Sequence, residues 1–311
     1  RIRSYHQKQI QESWSYTEDD GTVLGQKIIP LDRAGLYVPG GTAVLPSSTL
    51  MLGVPAQIAG CKEVIMATPP QKDGSIHAEV LYCAALCGIK KILTAGGAQA
   101  IAALSYGTES LPKCDKIFGP GNAYVSLAKS LVAQEIGGPA IDMPAGPSEA
   151  MVIADNEANP AFVAADLLSQ AEHDVLAQVI CVSTTSEISK KINEEIYIQL
   201  EKLPRKDIAR KAMKNSRLIV AKSREMIVDI INNYSPEHLI LQIKNPDHLV
   251  PAIRNAGSIF LGPWSPEAVG DYASGTNHTL PTNGAAKSYS GITIESFLKY
   301  IKNILGLMIF N

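Results

Sequence analysis

The sequence has few of the features that mark secreted, membrane-spanning or nucleic-acid-binding proteins. Its 311 residues include only five cysteines, which are scattered and do not suggest a disulfide framework. It contains no run of about 18 apolar residues, and its start lacks the apolar core of a signal peptide. The formal net charge of −2 gives no basic face for nucleic acid. These absences predict a cytoplasmic protein that binds neither membrane nor nucleic acid.

The composition and the apolar pattern predict an α/β protein. A hydrophobic fraction of 46% is that of a globular chain, and at ~100–200 residues per domain, 311 residues suggest two domains. Short β-branched runs alternate with segments of helical period, as in βαβ units with parallel sheets. The predicted strands are 63–67, 91–94, 150–154, 178–183, 217–221, 238–242 and 258–261. The predicted helices are 76–87, 160–171, 187–202 and 223–232, and the Gly- and Pro-rich segment 142–149 is the predicted crossing between the domains.

Three glycine clusters lie near the ends of strands in the first half of the chain. They are Gly40-Gly41, Gly96-Gly97 and Gly119-Pro120-Gly121-Asn122. Open α/β sheets bind ligands at such positions, and helix N-termini attract phosphate. Tyr124 stands where the dinucleotide fingerprint has its third glycine, so a standard Rossmann site is not supported. Because tight turns also need glycine, each cluster taken alone is more often a turn than a ligand contact.

The second half of the chain holds three groups of residues suited to chemistry. Gln170 and His173 are three apart at the end of a helix, where an imidazole and a side-chain carbonyl could bind one metal ion such as zinc. Glu237 and His238 begin a strand and could carry two proton transfers, provided that the chain turns there. Asp271 lies in a loop of small and polar residues and could be an oxygen ligand. Read alone, the Gln170–His173 and Glu237–His238 groups are more often ordinary polar residues than functional ones.

Seven longer motifs follow one another between about residue 20 and residue 290, and together they resemble the histidinol dehydrogenases. They are Gly35-Leu-Tyr-Val-Pro-Gly-Gly41, Gly96-Gly-Ala-Gln-Ala100, Phe118-Gly-Pro-Gly-Asn122, Ile141-Asp-Met-Pro-Ala-Gly-Pro-Ser148, Asp166-Leu-Leu-Ser-Gln-Ala-Glu-His173, Pro236-Glu-His-Leu239 and Gly270-Asp-Tyr-Ala-Ser-Gly-Thr-Asn-His278. The resemblance implies two similar, incomplete Rossmann-like domains with parallel sheets, one inserted in the other. It implies a zinc and catalytic domain at 1–15 and 150–292, an inserted NAD-binding domain at 16–149, and a remnant of a C-terminal helical segment at 293–311.

The resemblance also implies an activity. Members of the family oxidise L-histidinol through an aldehyde to L-histidine, in the last steps of histidine biosynthesis, with one zinc ion per site and two NAD in succession. The implied zinc ligands are Gln170, His173 and Asp271, and the implied substrate contacts are these three residues with Ser148 and His238. The implied catalytic pair is Glu237 and His238, and the implied NAD contacts are Tyr37, Gln99 and Asn122.

The chemistry of the reaction agrees with these roles. Removal of hydride from an alcohol needs a base for the hydroxyl proton, and a His238 imidazole near its ordinary pKa suits that task. The aldehyde must add water before a second hydride can leave, and Glu237 is expected to deprotonate that water. Because Gln170 is a neutral ligand, we expect zinc to orient the substrate more than to activate water.

The chain departs from the family at its ends. In the family, a C-terminal helical segment supplies a further substrate-binding glutamate and zinc-ligand histidine to the partner of a homodimer. The resemblance to that segment fades after residue 290, and the family's N-terminal helical segment is also largely missing here. The chain opens on Arg1 and closes on the apolar stretch 301–310, so we read it as incomplete at both ends. Weak zinc binding, weak dimerisation and low activity are therefore expected. Two alternatives stay open, namely a sibling zinc and NAD alcohol dehydrogenase acting on another alcohol, and an inactive truncated fragment.

Overall fold

The computed structural model describes residues 1–40, 44–144 and 146–306. Gly41 of the first glycine cluster, position 145 of the crossing segment and residues 307–310 of the apolar stretch lie outside the described residues. Within the described ranges, no helix is long and apolar enough to cross a bilayer.

Strands and helices alternate along most of the described chain. The strands are β1 (Trp14–Thr17), β2 (Val23–Pro30), β3 (Arg33–Tyr37), β4 (Glu63–Ala67), β5 (Lys91–Leu93), β6 (Lys116–Phe118), β7 (Ala140–Ile141), β8 (Glu149–Ala154), β9 (Gln178–Ser183), β10 (Arg217–Val220), β11 (His238–Gln242), β12 (Ser258–Leu261) and β13 (Leu298–Leu305). The helices are α1 (Ile2–Gln7), α2 (Pro46–Ala59), α3 (Ala78–Leu86), α4 (Gly97–Tyr106), α5 (Ala123–Gln134), α6 (Pro160–Ala171), α7 (Ser186–Leu200), α8 (Lys206–Ala212), α9 (Arg224–Tyr234) and α10 (Glu267–Tyr272).

The described chain forms two compact units. The first contains Arg1–Asp142 and the described residues from Ile292 onwards, and the second is Met143–Gly291. The predicted crossing segment contains the boundary, but the predicted insertion is reversed, because the second unit is the continuous one. Residues 1–15, which the prediction joined to the second unit, lie in the first. There α1 packs against α2, and the side chain of His6 is fully buried.

The first unit is built on a parallel sheet with the strand order β5-β4-β3-β6-β7. Ala34 and Leu36 of β3 and Ile117 of β6 have no exposed surface. Such apolar runs are typical of parallel strands covered on both faces. The order of strands reverses between β3 and β6, so a crevice is expected at the carboxyl ends of these two strands.

A three-stranded antiparallel sheet with the order β1-β2-β13 belongs to the same unit. Its strand β13 occupies a segment for which we predicted a helical remnant, and that prediction is wrong. β13 pairs with β2 from Leu298 opposite Pro30 to Leu305 opposite Val23. Most β13 side chains are exposed, so the ladder to β2 rather than burial keeps the segment extended.

The second unit repeats the topology of the first, with the strand order β10-β9-β8-β11-β12 and parallel pairing throughout. Alternate residues of β8 face two apolar clusters. Ala150 and Val152 pack with α6 and α7, whereas Met151 and Ile153 pack with α9. Two similar units with parallel sheets confirm the predicted fold class, an α/β protein of Rossmann-like character.

Candidate functional site

The polar side chains of the second unit gather at the amino ends of its two central strands. Glu149 begins β8 and His238 begins β11, and the two strands are paired in parallel. Helix α6 leads from β8 back to the start of β9, so its last turn, with Gln170, comes to the same edge. Ligands of open α/β sheets usually lie at the opposite, carboxyl edge. The fold alone would therefore not have located this cluster.

The chain turns immediately before β11. Such a turn is needed if the neighbouring side chains of Glu237 and His238 are to reach one site. Ser235 adopts a left-handed conformation with φ 60° and ψ 62°, and Pro236 follows it. The two functional side chains are thereby brought together, with Oε2 of Glu237 3.6 Å from Nδ1 of His238. Both are buried. Gly257 permits the close approach of the next strand, because a Cβ there would lie 2.5 Å from the carbonyl oxygen of Glu237.

Glu149 holds this pair in place through its main chain. Its N–H donates to Oε2 of Glu237 at 2.9 Å, and its carbonyl oxygen lies 3.0 Å from Nδ1 of His238. Its own carboxyl group accepts a hydrogen bond from the N–H of Asn283, and burial raises its pKa to about 7. The sequence analysis missed Glu149 as a site residue. The sequence signal available for Glu149 was a charged residue at the start of an otherwise apolar strand.

Two carboxylates flank the His238 ring. Nε2 of His238 lies 3.9 Å from Oε1 of Glu267, on the side opposite to Glu237. Burial alone would lower the pKa of His238, but the charges of Glu237 and Glu267 together outweigh it and raise the pKa to about 9. The expected near-ordinary pKa is therefore wrong for this environment.

Acidic residues of α10 face the same imidazole. His238, Glu267 and Asp271 each offer a ligand atom, and these atoms lie within 4.8 Å of one another. Glu267 and Asp271 are four apart on α10 and so share a face, which places Asp271 on a short helix rather than in the predicted loop. Burial, and then the charge of Glu267, raises the pKa of Asp271 to about 6. A divalent cation would stabilise carboxylates placed in this way.

Gln170 supplies a further ligand atom. Its Nε2 donates to Oε1 of Glu267 at 2.6 Å, whereas its own Oε1 is buried and accepts no hydrogen bond from the described residues. A buried carbonyl oxygen without a donor is uncommon and calls for an explanation. A cation bound between this oxygen and Asp271 would supply one. The donor set of amide oxygen, carboxylate and imidazole fits zinc.

The other predicted residues of the second unit lie around this cluster. His173 is exposed just beyond α6, where its N–H donates to the carbonyl oxygen of Gln170 and its charge lowers the pKa of Asp271. Ser148 is half-buried and directly precedes β8. Burial lowers the pKa of His278, and the charge of His238 lowers it further. The structure thus brings Gln170, Asp271 and the Glu237–His238 pair together.

The three predicted NAD contacts lie in the first unit, each at or after the carboxyl end of a strand. Tyr37 ends β3 and is buried, and its hydroxyl oxygen accepts a hydrogen bond from the N–H of Gly97 at 3.0 Å. Gln99 is exposed in the first turn of α4. Asn122 follows β6 and caps α5, because its Oδ1 accepts from the N–H groups of the second and third helical residues.

The glycine loop after β6 is fixed by a buried ion pair. Nζ of Lys129 lies 2.5 Å from Oδ1 of Asp142, and both side chains are almost wholly buried. Lys129 also donates to the carbonyl oxygen of Gly119, while Oδ2 of Asp142 accepts from the N–H of the same glycine. Gly119 has φ 113°, and a Cβ there would lie 2.1 Å from the carbonyl oxygen of Tyr37. Only glycine fits at this position.

Comparison with known proteins identifies the family. The family model for histidinol dehydrogenase matches residues 1–305. The chain is 52% identical over 300 residues to a histidinol dehydrogenase of Bacteroides thetaiotaomicron, covering 96% of this chain and 70% of that protein. The corresponding protein of Xanthomonas campestris pv. campestris is 52% identical over 297 residues, covering 96% and 69%. The crystal structure of histidinol dehydrogenase from Elizabethkingia anophelis matches with a TM-score of 0.94 and 50% identity, over 97% of this chain and 70% of that one. The chain therefore belongs to the histidinol dehydrogenase family, which consists of oxidoreductases of histidine biosynthesis.

Proposed function

We propose that this protein is a zinc-dependent histidinol dehydrogenase, which oxidises L-histidinol through histidinal to L-histidine with two NAD. The proposal rests above all on one observation, the buried Glu237–His238 pair beside the unpaired carbonyl oxygen of Gln170 and the carboxylate of Asp271. Such an arrangement combines proton-transfer groups with a cation site. Membership of the family supplies the substrate class.

Zinc would be held by Gln170, Asp271 and His173, and NAD would contact Tyr37, Gln99 and Asn122. When bound, zinc supplies a Lewis acid that orients the substrate's amine and imidazole, and NAD accepts hydride. Each residue placed in the zinc site offers an oxygen or an imidazole nitrogen, as zinc ligands do. Ser148, directly before β8, would contact the substrate at the same edge of the sheet.

In the first oxidation, the neutral form of His238, which is the minor form at neutral pH because the pKa is about 9, removes the hydroxyl proton of the alcohol while the adjacent C–H bond loses hydride. Because Nδ1 of His238 faces the carbonyl oxygen of Glu149, which can only accept, the hydrogen of the neutral ring lies on Nδ1. Nε2 is then the atom that takes the substrate's proton. Glu149 thus fixes the tautomer that the reaction needs.

In the second oxidation, Glu237 takes a proton from the water that adds to the aldehyde carbon. As the water adds, His238 returns the proton of the first oxidation to the aldehyde oxygen and becomes neutral again. The resulting hydrate carries a hydroxyl group and a C–H bond, so His238 accepts the hydroxyl proton as the second hydride leaves. The products are a carboxylate, a second reduced nicotinamide and the released protons, which balances the four-electron oxidation. The contacts support this proposed division of labour, because Nε2 of His238 faces Glu267, whereas Oε2 of Glu237 accepts from the N–H of Glu149.

We also propose a cytoplasmic homodimer, in keeping with the family. Sedimentation of the purified protein over a range of concentrations tests the dimer, and a monomer at all concentrations would contradict it.

A substrate panel tests the proposed specificity. We expect kcat/KM with L-histidinol and NAD to exceed that with other amino alcohols, because the cation site would bind the substrate's amine and imidazole together. A primary alcohol without an imidazole that reacts as well would indicate a sibling dehydrogenase instead.

A further inference from the structure

The surroundings of Gln170 allow its side-chain amide only one orientation. The side chain is 1% exposed, and its Nε2 lies 2.6 Å from Oε1 of Glu267. An ionised carboxylate accepts hydrogen bonds but cannot donate them, so the NH2 end of the amide must face Glu267. The carbonyl end consequently points away from Glu267, and it is this oxygen that finds no donor among the described residues.

Glu267 is itself held by the helix that carries Gln170. Its Oε2 accepts a hydrogen bond from the hydroxyl of Ser169 at 2.7 Å, and its main-chain N–H donates to Oδ1 of Asp166 at 3.0 Å. The other carboxylate oxygen of Asp166 accepts from Nε2 of Gln242 at 3.1 Å. Glu267 is 2% exposed. Its carboxylate is therefore fixed at both oxygens before any ligand is bound.

We infer that Glu267 is a positioning residue that turns the Gln170 amide so that its carbonyl oxygen, and not its NH2 group, faces the metal ion. The inference rests on the metal site of the proposed function. The two ends of an amide have the same shape, but only the oxygen can bind a cation. Without an acceptor at position 267, the amide is free to rotate and to present its NH2 group. Partners of this kind orient ligands in metal sites generally.

The hydrogen bonds distinguish this role from direct ligation by Glu267. Both of its carboxylate oxygens already accept a hydrogen bond, one from Gln170 and one from Ser169. Oε1 of Gln170, by contrast, is a buried acceptor without a donor among the described residues, as are Oε1 of Gln242 and Oε2 of Glu149. The polar contacts thus support orientation by Glu267 and ligation by Gln170. Because Glu267 also lies beside His238 and Asp271, the experiment must separate orientation from direct ligation.

Two variants of Glu267 test the inference. The dissociation constants for Zn²⁺ and Co²⁺ are measured by competition with a chromophoric chelator, and the visible spectrum of the Co²⁺ form reports the ligand set. Glu267→Ala removes the acceptor and is expected to lower the affinity for both ions by about 10–100-fold. Glu267→Gln keeps a carbonyl oxygen for Gln170 and can donate to Ser169, so it should bind both ions almost as the wild type does. Equal losses in the two variants would overturn the inference.

A double-mutant cycle adds a readout that a purely structural role would not move. If Glu267 acts through Gln170, the double variant Gln170→Ala/Glu267→Ala should bind metal as tightly as Gln170→Ala alone. Additive losses would instead identify Glu267 as an independent ligand. Glu172→Ala, which removes a carboxylate from the end of the same helix, serves as the matched control and should bind metal like the wild type. The melting temperature of each metal-free variant reports its folding.

The same measurements separate the inference from the proposed function. A wild-type protein that binds neither Zn²⁺ nor Co²⁺ would overturn the metal site, and the inference with it. A wild-type protein that binds both ions, with Glu267→Ala unchanged, would overturn the inference alone.

Discussion

Nδ1 of His238 lies 3.0 Å from the main-chain carbonyl oxygen of Glu149, across the parallel pair of β11 and β8. Because this oxygen belongs to the main chain, substitution of the Glu149 side chain leaves the contact in place. The β-sheet itself therefore orients the imidazole. The ring presents Nε2 to the cluster formed with Glu267 and Asp271. The orientation of the proposed base His238 therefore depends on the register of β11 with β8.

Replacement of His238 should impair both oxidations. We expect His238→Ala to lower kcat for L-histidinol and for histidinal by about 10²–10⁴-fold, because each step needs a base for a hydroxyl proton. The rate of NADH formation from each substrate measures this. His248→Ala, an exposed histidine of the same unit, is the control and should leave both rates unchanged. A loss confined to one substrate would contradict the shared role.

Replacement of Glu237 should separate the two oxidations. Glu237→Gln keeps an oxygen that can accept from the N–H of Glu149 but removes the base for water. Oxidation of histidinal should fall by more than about tenfold relative to oxidation of L-histidinol. Single-turnover rates with each substrate provide the comparison. Equal losses would argue against a separate base for the hydration step.

The carboxyl group of Glu149 should make the fold less stable as the pH rises. Its pKa is about 7 in the folded protein and 4.5 as the reference value, so between these values the folded state holds the extra proton. The unfolding free energy contributed by this group therefore decreases from pH 4.5 to 7 and is constant above. Glu149→Gln removes the titration, so its melting temperature relative to the wild type should be higher at about pH 8 than at about pH 5. A difference that does not change with pH would contradict this.

Gly119 should be irreplaceable for steric reasons. An added Cβ would lie 2.1 Å from the carbonyl oxygen of Tyr37, whereas one at Gly137, which also has a positive φ, would meet nothing within 4 Å. Gly119→Ala should therefore cost about 1–3 kcal/mol more stability than Gly137→Ala, because only the first adds overpacking to backbone strain. Chemical denaturation of both variants measures the difference. Because the glycine loop would be displaced in Gly119→Ala, we expect weaker NAD binding in this variant but not in Gly137→Ala. Equal losses of stability in the two variants would contradict the steric account.

Strands buried on both faces were the most predictable elements. The bounds of β4, β9 and β11, and of α6, agree with those predicted, because their apolar runs are continuous and polar residues end them sharply. The bounds of the edge strand β12 also agree, although its residues are half-buried or exposed. The antiparallel sheet was not predictable in this way. β13 is largely exposed, and its partner β2 lies far away in sequence, so no local pattern reveals the pairing.

The site was predictable only where its residues are neighbours in sequence. Glu237 and His238 are adjacent, and Gln170 and His173 are one helical turn apart. Glu149 and Glu267 reach the cluster through strand pairing and through the packing of α10 on α6, which the sequence does not display. The raised pKa of His238 depends first on the adjacent Glu237, which the sequence displays, and then on Glu267, 29 positions further along the chain, which it does not.

The number of NADH molecules formed per L-histidinol consumed tests the central proposal most directly. The proposed chemistry requires two NADH per L-histidinol, with L-histidine as the product. It further requires that removal of zinc by a chelator abolish the reaction and that added zinc restore it. One NADH per L-histidinol with accumulating aldehyde, no NADH at all, or full turnover in the presence of the chelator would contradict the proposal.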